Sequence, residues 1–275
     1  MSLAAELRIP RAGSDRLPAV VLLHGSGGMS TLEDTWARHF NSMGIATLMV
    51  DSFTARGVQQ TSANQDQLSR WAMVVDSYRA LDVLASHPRI DPRRVVVMGF
   101  SRGGGAAHYS AMRRFYAMYG PDSKAEYAAH IAFYPTCNRV FRDGLDVVDK
   151  PIRIYHGAAD DYIPVAECRL RVDQLRKAGK DAVLTEYADA HHVFDNPGFP
   201  LAKVPQVQTT RNCPPLEEVD GQIMDSQTRQ PFSYASAPCV ERGATAGYNP
   251  IAHANAVRDV SEFLSAVLKP APAPR

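Results

Sequence analysis

The chain has 275 residues, of which 45% are apolar and 21% charged, and a formal net charge of +1. That length suits one ordinary α/β domain with a sizeable core, and the balance is that of a globular protein. A near-neutral chain without any Lys/Arg block argues against a nucleic-acid partner, and no apolar run reaches the ~18 residues needed to span a bilayer.

Met1 to Pro10 lacks a basic region followed by an apolar stretch, so no export signal is expected in this chain. The first strand is expected at Ala19-Val20-Val21-Leu22-Leu23, ending at His24-Gly25. A helix follows at Trp36 to Met43, then a strand from Ile45 to Val50 that stops at Asp51. Gln65 to Ser86 reads as a long helix, with Leu68, Met73, Val74, Tyr78, Leu81 and Leu84 at helical spacing. Pro88 and Asp91-Pro92 end it and lead into the strand Val95 to Met98, which stops at Gly99. A helix over Ala106 to Arg114 and strand-like Ile131 to Tyr134 come next. Ile152 to Tyr155, the helix Val165 to Ala178, the strand Ala182 to Tyr187 and the helix Ala252 to Leu268 complete the series. The apolar runs mostly lack alternation, as strands covered on both faces do. Strand and helix alternate, which predicts an α/β fold, a mainly parallel central sheet with helices on both faces. Asn196 to Asn249 is too long and too rich in proline for an ordinary connection. It reads as an excursion at about 196–249 inserted into a single domain, with a hairpin around Asp220-Gly221. Pro270 to Arg275 is expected to fray.

The chemistry is concentrated where strands stop. Gly99-Phe100-Ser101-Arg102-Gly103 matches G-x-S-x-G between an apolar strand and a small-residue helix start. A nucleophile needs that context, because it sits on a tight turn where flanking glycines relieve crowding. The alternative is a glycine-rich turn whose Ser101 only caps the helix. His24-Gly25-Ser26-Gly27-Gly28 follows another strand. Gly25 and Gly27 allow a bound ester to approach the backbone, and the N–H groups of Ser26 and Arg102 are candidates for the oxyanion hole. A phosphate-binding loop is the weaker reading, since no complete G-x-x-x-x-G-K-[ST] or G-x-G-x-x-G pattern is present. A serine nucleophile needs a base and an acid that orients it. The loop after Tyr155 offers Asp160 and Asp161, and the loop after Tyr187 offers His191 and His192, so the order Ser, Asp, His is met while each pair stays open.

From Ala19 to Phe194 and in its last helix the chain resembles the dienelactone hydrolase family of α/β-hydrolases. The family's acid loop, H-G-x-x-D-x-x-[VI]-P, laid on His156 to Pro164, implies Asp160. Its base loop, Y-P-G-A-x-H-x-F, laid on Tyr187 to Phe194, implies His192, with Ala188 and Asp189 departing from the pattern. The resemblance implies the α/β-hydrolase fold and cleavage of small carboxylic esters or lactones through an acyl-enzyme, without metal or organic cofactor. Two departures separate the chain from dienelactone hydrolases proper. Ser101 stands where they use cysteine, and Asp195-Asn196-Pro197 carries no arginine where they hold a substrate carboxylate. Arg56 resembles their other arginine and is expected on the rim of the site. A peptidase or acyltransferase of the same fold is the competing enzyme, and a non-catalytic ligand-binding protein the competing class.

Cys137, Cys168, Cys213 and Cys239 contain no C-x-x-C pair, which argues against a zinc site. They are either four buried thiols or two disulfides, Cys213 with Cys239 across the excursion and Cys137 with Cys168. Oxidised pairs would indicate a periplasmic or secreted protein, free thiols a cytoplasmic one.

Overall fold

The structure is a computed structural model that describes residues 2–11, 16–219 and 222–269. In chain order β1 (Ala4–Arg8), β2 (Leu17–Leu23), α1 (Thr31–Ser42), β3 (Ala46–Asp51), α2 (Arg70–Ser86), β4 (Ile90–Phe100), α3 (Arg102–Tyr109) and α4 (Arg113–Tyr119) form the first half. β5 (Ala129–Phe133), β6 (Arg139–Val140), β7 (Ile152–Gly157), α5 (Ala166–Lys177), β8 (Ala182–Tyr187), β9 (Ala202–Thr209), β10 (Leu216–Val219), β11 (Gln222–Asp225), β12 (Glu241–Ala246) and α6 (Pro250–Val267) follow. Among the described residues seven strands make the main sheet, in the order β1-β3-β2-β4-β5-β7-β8. Every neighbouring pair is parallel except β1 with β3.

Side chains alternate across each strand, so the apolar runs feed two cores. Ala19, Val21, Leu23, Val95 and Val97 join Met73, Leu81 and Leu84 of α2 and Val172 and Leu175 of α5. Val20, Leu22, Val96 and Met98 join Trp36 and Phe40 of α1 and Val260 and Leu264 of α6 on the other face. Chain order reverses at β2: β3 lies on one side of it and β4 on the other. The loops leaving β2 and β4 therefore diverge and open a crevice at their carboxyl ends, where ligands bind in open parallel sheets.

Several element bounds differ from expectation. α1 begins at Thr31, because Ser30 and Glu33 form a capping box, a signature legible as S-x-x-E. The α2 pattern starts at Arg70, preceded by a 3₁₀ turn at Gln65–Gln67. The single helix expected over Ala106 to Arg114 is two, α3 and α4. The sequence pattern does not predict β1, a five-residue strand at the edge of the sheet.

Residues 196–249 form two small sheets. β9 pairs antiparallel with β12, while β10 pairs antiparallel with β11 and parallel with β6. The Asp220-Gly221 turn itself lies outside the described residues, as does the 270–275 tail. The cysteines are paired, Cys137 with Cys168 and Cys213 with Cys239, so the four-thiol reading does not hold. The second bond spans 26 residues of the excursion, and on a chain-entropy model closing such a loop stabilises by about 3.5 kcal/mol. The double variant Cys213→Ser/Cys239→Ser should lose stability of that order in urea unfolding. An unchanged midpoint would show that burial alone holds the segment. Among the described residues no helix is long and apolar enough to cross a membrane.

Candidate active site

Ser101 stands between β4 and α3 with φ 52 and ψ −110, a conformation that a non-glycine residue rarely adopts. Its neighbours show why the turn is built from glycine. A Cβ on Gly99 would lie 2.1 Å from the Gly103 carbonyl oxygen, and one on Gly103 would lie 2.2 Å from that of Leu23. α3 can therefore press on β2 and β4 only with glycine at both positions, and that contact lifts Ser101 above the sheet edge. The Ser101 N–H donates to the Phe133 carbonyl at 2.9 Å, which ties the turn to β5.

The structure brings Ser101, His192 and Asp160 together. Ser101 Oγ lies 2.9 Å from His192 Nε2, and His192 Nδ1 lies 2.7 Å from Asp160 Oδ2. All three are buried. The other oxygen of Asp160 accepts the N–H groups of Tyr162 and Ile163, each at 2.9 Å. Burial opposes ionisation of Asp160, but the charge and hydrogen bond of His192, then His156 and the Ile163 N–H, outweigh it and hold the carboxyl below its ordinary value. An ionised Asp160 accepts the Nδ1 proton, so Nε2 faces the serine hydroxyl as an acceptor.

The neighbouring candidates are elsewhere. Asp161 accepts the Thr245 N–H at 2.7 Å and its hydroxyl at 3.1 Å, fastening β12 to the acid loop. His191 makes no hydrogen bond through its buried Nδ1.

Gly25, Ser26 and Gly27 line a cavity of about 370 Å³ with Ser101 and His192. A Cβ on Gly25 would come within 3.5 Å of Ser101 Cβ, so this loop lies directly against the serine. His24 braces it. Its Nε2 accepts the Ser52 N–H and its Nδ1 donates to the Gly25 carbonyl, and burial keeps the ring neutral. Arg102 is the first residue of α3, so its N–H has no acceptor within the helix. Its side chain turns away to Gln65 and Leu68, and burial lowers its guanidinium to about 9.

Arg56 is not brought to the site. Its guanidinium grips Asp76 through two 2.7 Å bonds and the Ser52 carbonyl through a third, and it does not border the cavity. Asp76 is 4% exposed, and a buried carboxylate holds the nearest arginine more firmly than a solvent-filled rim does.

Several cavity residues were missed from sequence. Residues 196–249 supply Asn196, Phe199, Val204, Gln206, Val207 and Ala246. Glu33 also faces the cavity, where burial pushes its carboxyl up to about 7. Tyr134 and Tyr162 pack against His192. Tyr162 was legible as the second residue after the acid, but Asp195 had no signal. Its carboxylate accepts the Tyr134 hydroxyl at 2.7 Å and the Trp36 indole N–H at 2.8 Å, and burial raises it to about 6. Among the described residues no group of three or more His, Cys, Asp or Glu is placed to hold a metal ion.

A family model described as the dienelactone hydrolase family matches residues 3–268. No curated protein matches the chain in sequence. Among solved structures, a dienelactone hydrolase-like promiscuous phosphotriesterase from metagenomic libraries is 18% identical with a TM-score of 0.66, over 96% of this chain and 92% of that one. Esterase 2 of Thermogutta terrifontis, phosphoramylated by tabun, is 19% identical with a TM-score of 0.63, over 99% of this chain and 92% of that one. The propionate-bound form of that esterase is 21% identical with a TM-score of 0.57, over 72% and 82% of the two chains. At these identities the likeness is one of fold.

Proposed function

This chain belongs to the dienelactone hydrolase family and is a carboxylic ester hydrolase, and from that premise we propose that it cleaves neutral carboxylic esters or lactones through an acyl-enzyme on Ser101. The observation that carries the reading is the chain of short contacts from Ser101 Oγ through His192 to buried Asp160. Ser101 attacks the ester carbonyl as His192 Nε2 takes its proton. The carbonyl oxygen gains the charge and rests on the N–H groups of Ser26 and Arg102. The tetrahedral adduct collapses, the C–O bond to the alcohol breaks, and His192 returns the proton to the leaving oxygen. Water, deprotonated by the same imidazole, then releases the acid and restores Ser101. Asp160 holds the required tautomer and stabilises the imidazolium. In this reading residues 196–249 are an excursion of a single domain that walls the pocket.

Charge favours a neutral substrate. Among the described residues the 370 Å³ cavity is lined by no Lys or Arg that could hold an anion. Arg70 borders a separate recess beside Ser101, but that recess is about 10 Å³, room for one water-sized group. A carboxylate-bearing ester, as a dienelactone is, thus has no arginine to meet in the main pocket. Arg56→Ala should leave the ratio of kcat/KM for a carboxylate-bearing ester over its methyl ester unchanged. It should also destabilise the fold by about 3 kcal/mol, since Asp76 would stay buried without its partner. A selective loss on the charged ester would restore Arg56 as a substrate residue.

The direct test is labelling with a fluorophosphonate probe, apt because esterase 2 of the same fold takes up an organophosphate. One equivalent on Ser101, with turnover on p-nitrophenyl esters or aryl lactones, supports the reading. No label and no turnover would favour a ligand-binding protein. Turnover of a peptide substrate alone would favour a peptidase, and transfer to an added alcohol without hydrolysis an acyltransferase.

A further inference from the structure

We propose that Tyr134 and Tyr162 are positioning residues whose rings pack against the His192 imidazole and stabilise it when it carries the transferred proton. The inference rests on the acyl-enzyme reading above and adds to it two residues that act through the imidazole. In that mechanism His192 becomes a cation while 1% exposed, so bulk water solvates it poorly. Asp160 meets only the Nδ1 edge. Two aromatic rings pack against it: the Tyr134 and Tyr162 centroids each lie 4.6 Å from the imidazole centroid, tilted by 59° and 53°. An aromatic face within about 6 Å attracts a cation, and more strongly when both are desolvated.

The two rings are held for this purpose by independent anchors. Tyr134 ends the β5 run with φ 37, a strained value for a side chain of its size. Its hydroxyl donates to Asp195, which also takes the Trp36 indole N–H, so the ring is fixed from the side away from His192. Burial and then Asp195 raise the Tyr134 hydroxyl well above its ordinary value, so it stays a proton donor to that carboxylate. Tyr162 is anchored through its backbone, whose N–H donates to Asp160 and whose carbonyl accepts the Thr209 hydroxyl of the excursion, and its ring hydroxyl accepts from Gln65 Nε2 at 3.4 Å. Thus one tyrosine comes from the core and the other from the acid loop that the excursion braces. The groups facing His192 are Ser101 and Asp160 by hydrogen bonds, and Tyr134 and Tyr162 by their rings. His156 lies 3.9 Å from Asp160, and Asp195 and Glu33 lie behind Tyr134.

The test compares Tyr162→Phe, Tyr162→Leu, Tyr134→Phe and Tyr134→Leu in the full chain, with kcat, KM and the pH–rate profile read on one neutral p-nitrophenyl ester. Fluorophosphonate labelling of the wild type comes first and separates the two readings: a wild type that neither labels nor turns over fails the acyl-enzyme, not the role of the two rings. Given a labelled wild type, each Leu variant should lose kcat roughly tenfold with KM changed less than about threefold, and Tyr162→Phe should keep most of the wild-type kcat. The acid limb of the profile should move about one pH unit lower in the Leu variants, the equivalent of the tenfold loss, because without the ring the imidazole binds its proton less tightly, and stay in place in Tyr162→Phe. Leu variants with wild-type kcat, or with lower kcat and an unmoved acid limb, would overturn the proposal. Tyr134 is wholly buried and Tyr134→Leu is prone to unfold, so Tyr162→Leu, at a partly exposed position, is the deciding variant.

Discussion

Ser101→Ala should reduce ester turnover by about 10⁵- to 10⁶-fold, the loss seen when a comparable triad is stripped of its nucleophile. The Oγ atom is the only part of the residue that changes, and among the described residues the hydrogen bond to His192 is the one that it takes away. Alanine keeps the Cβ and meets the same φ of 52 that serine already tolerates. The N–H of residue 101 still donates to Phe133, so β4 and α3 keep their junction. The variant should therefore unfold within a few degrees of the wild type while failing to take up the fluorophosphonate. What turnover remains would come from the oxyanion N–H groups and from substrate binding. A variant that keeps a tenth of the wild-type rate would remove Ser101 from the nucleophile's role.

The two adjacent pairs should divide just as sharply. His192→Ala should cost nearly as much as Ser101→Ala, since triad members act as a unit. Asp160→Asn should lower kcat by about 10⁴-fold: an amide nitrogen facing Nδ1 favours the tautomer that turns the wrong ring nitrogen to the serine. His191→Ala removes a ring whose Nδ1 has no partner, and should leave kcat within about threefold. Asp161→Asn weakens the bonds to Thr245 and the 3.7 Å ion pair with Arg211, so its signature should be earlier thermal unfolding and local loosening of β12, with kcat within about tenfold. Steady-state kinetics and thermal melts on the four variants decide the matter. Equal loss of kcat across either pair would undo that assignment.

How much of this was legible in the residues depends on how local each signal is. The glycines around Ser101 and in the loop from Gly25 to Gly28 announce themselves, because a tight strand-to-helix turn admits almost nothing else. The unbroken runs at Val20 to Leu23 and Val95 to Met98 announce buried parallel strands for a similar reason: polar side chains cannot be hidden on both faces of a sheet. Membership of each loop in the carboxyl edge then follows from strand order alone. The choice between Asp160 and Asp161, or His191 and His192, is not local. It depends on which side chain a loop turns toward a serine 59 or more residues away in sequence, and only a resemblance or the folded chain supplies that direction.

Tertiary structure decided the rest. Arg56 left the site because Asp76, twenty residues on, is buried within reach of its guanidinium; sequence places an arginine after a strand, but the nearest buried charge determines where it points. Asp195 was read only as the absence of an arginine, whereas it is the carboxylate that fixes Tyr134, through contacts spanning 61 and 159 residues. The pocket is walled by residues 196–249, a segment with few apolar runs. Its conformation is set by a disulfide, by Asp161 bonding Thr245 and by Gly247 donating to the His192 carbonyl. The buried parallel strands and the turn that raises Ser101 are readable in the residues, since both follow from backbone sterics and burial within a short stretch of chain. Which arginine stays out of the site, which carboxylate braces it and what closes over the substrate were decided only in the fold, because those outcomes depend on long-range partners competing for one buried charge or one hydrogen bond.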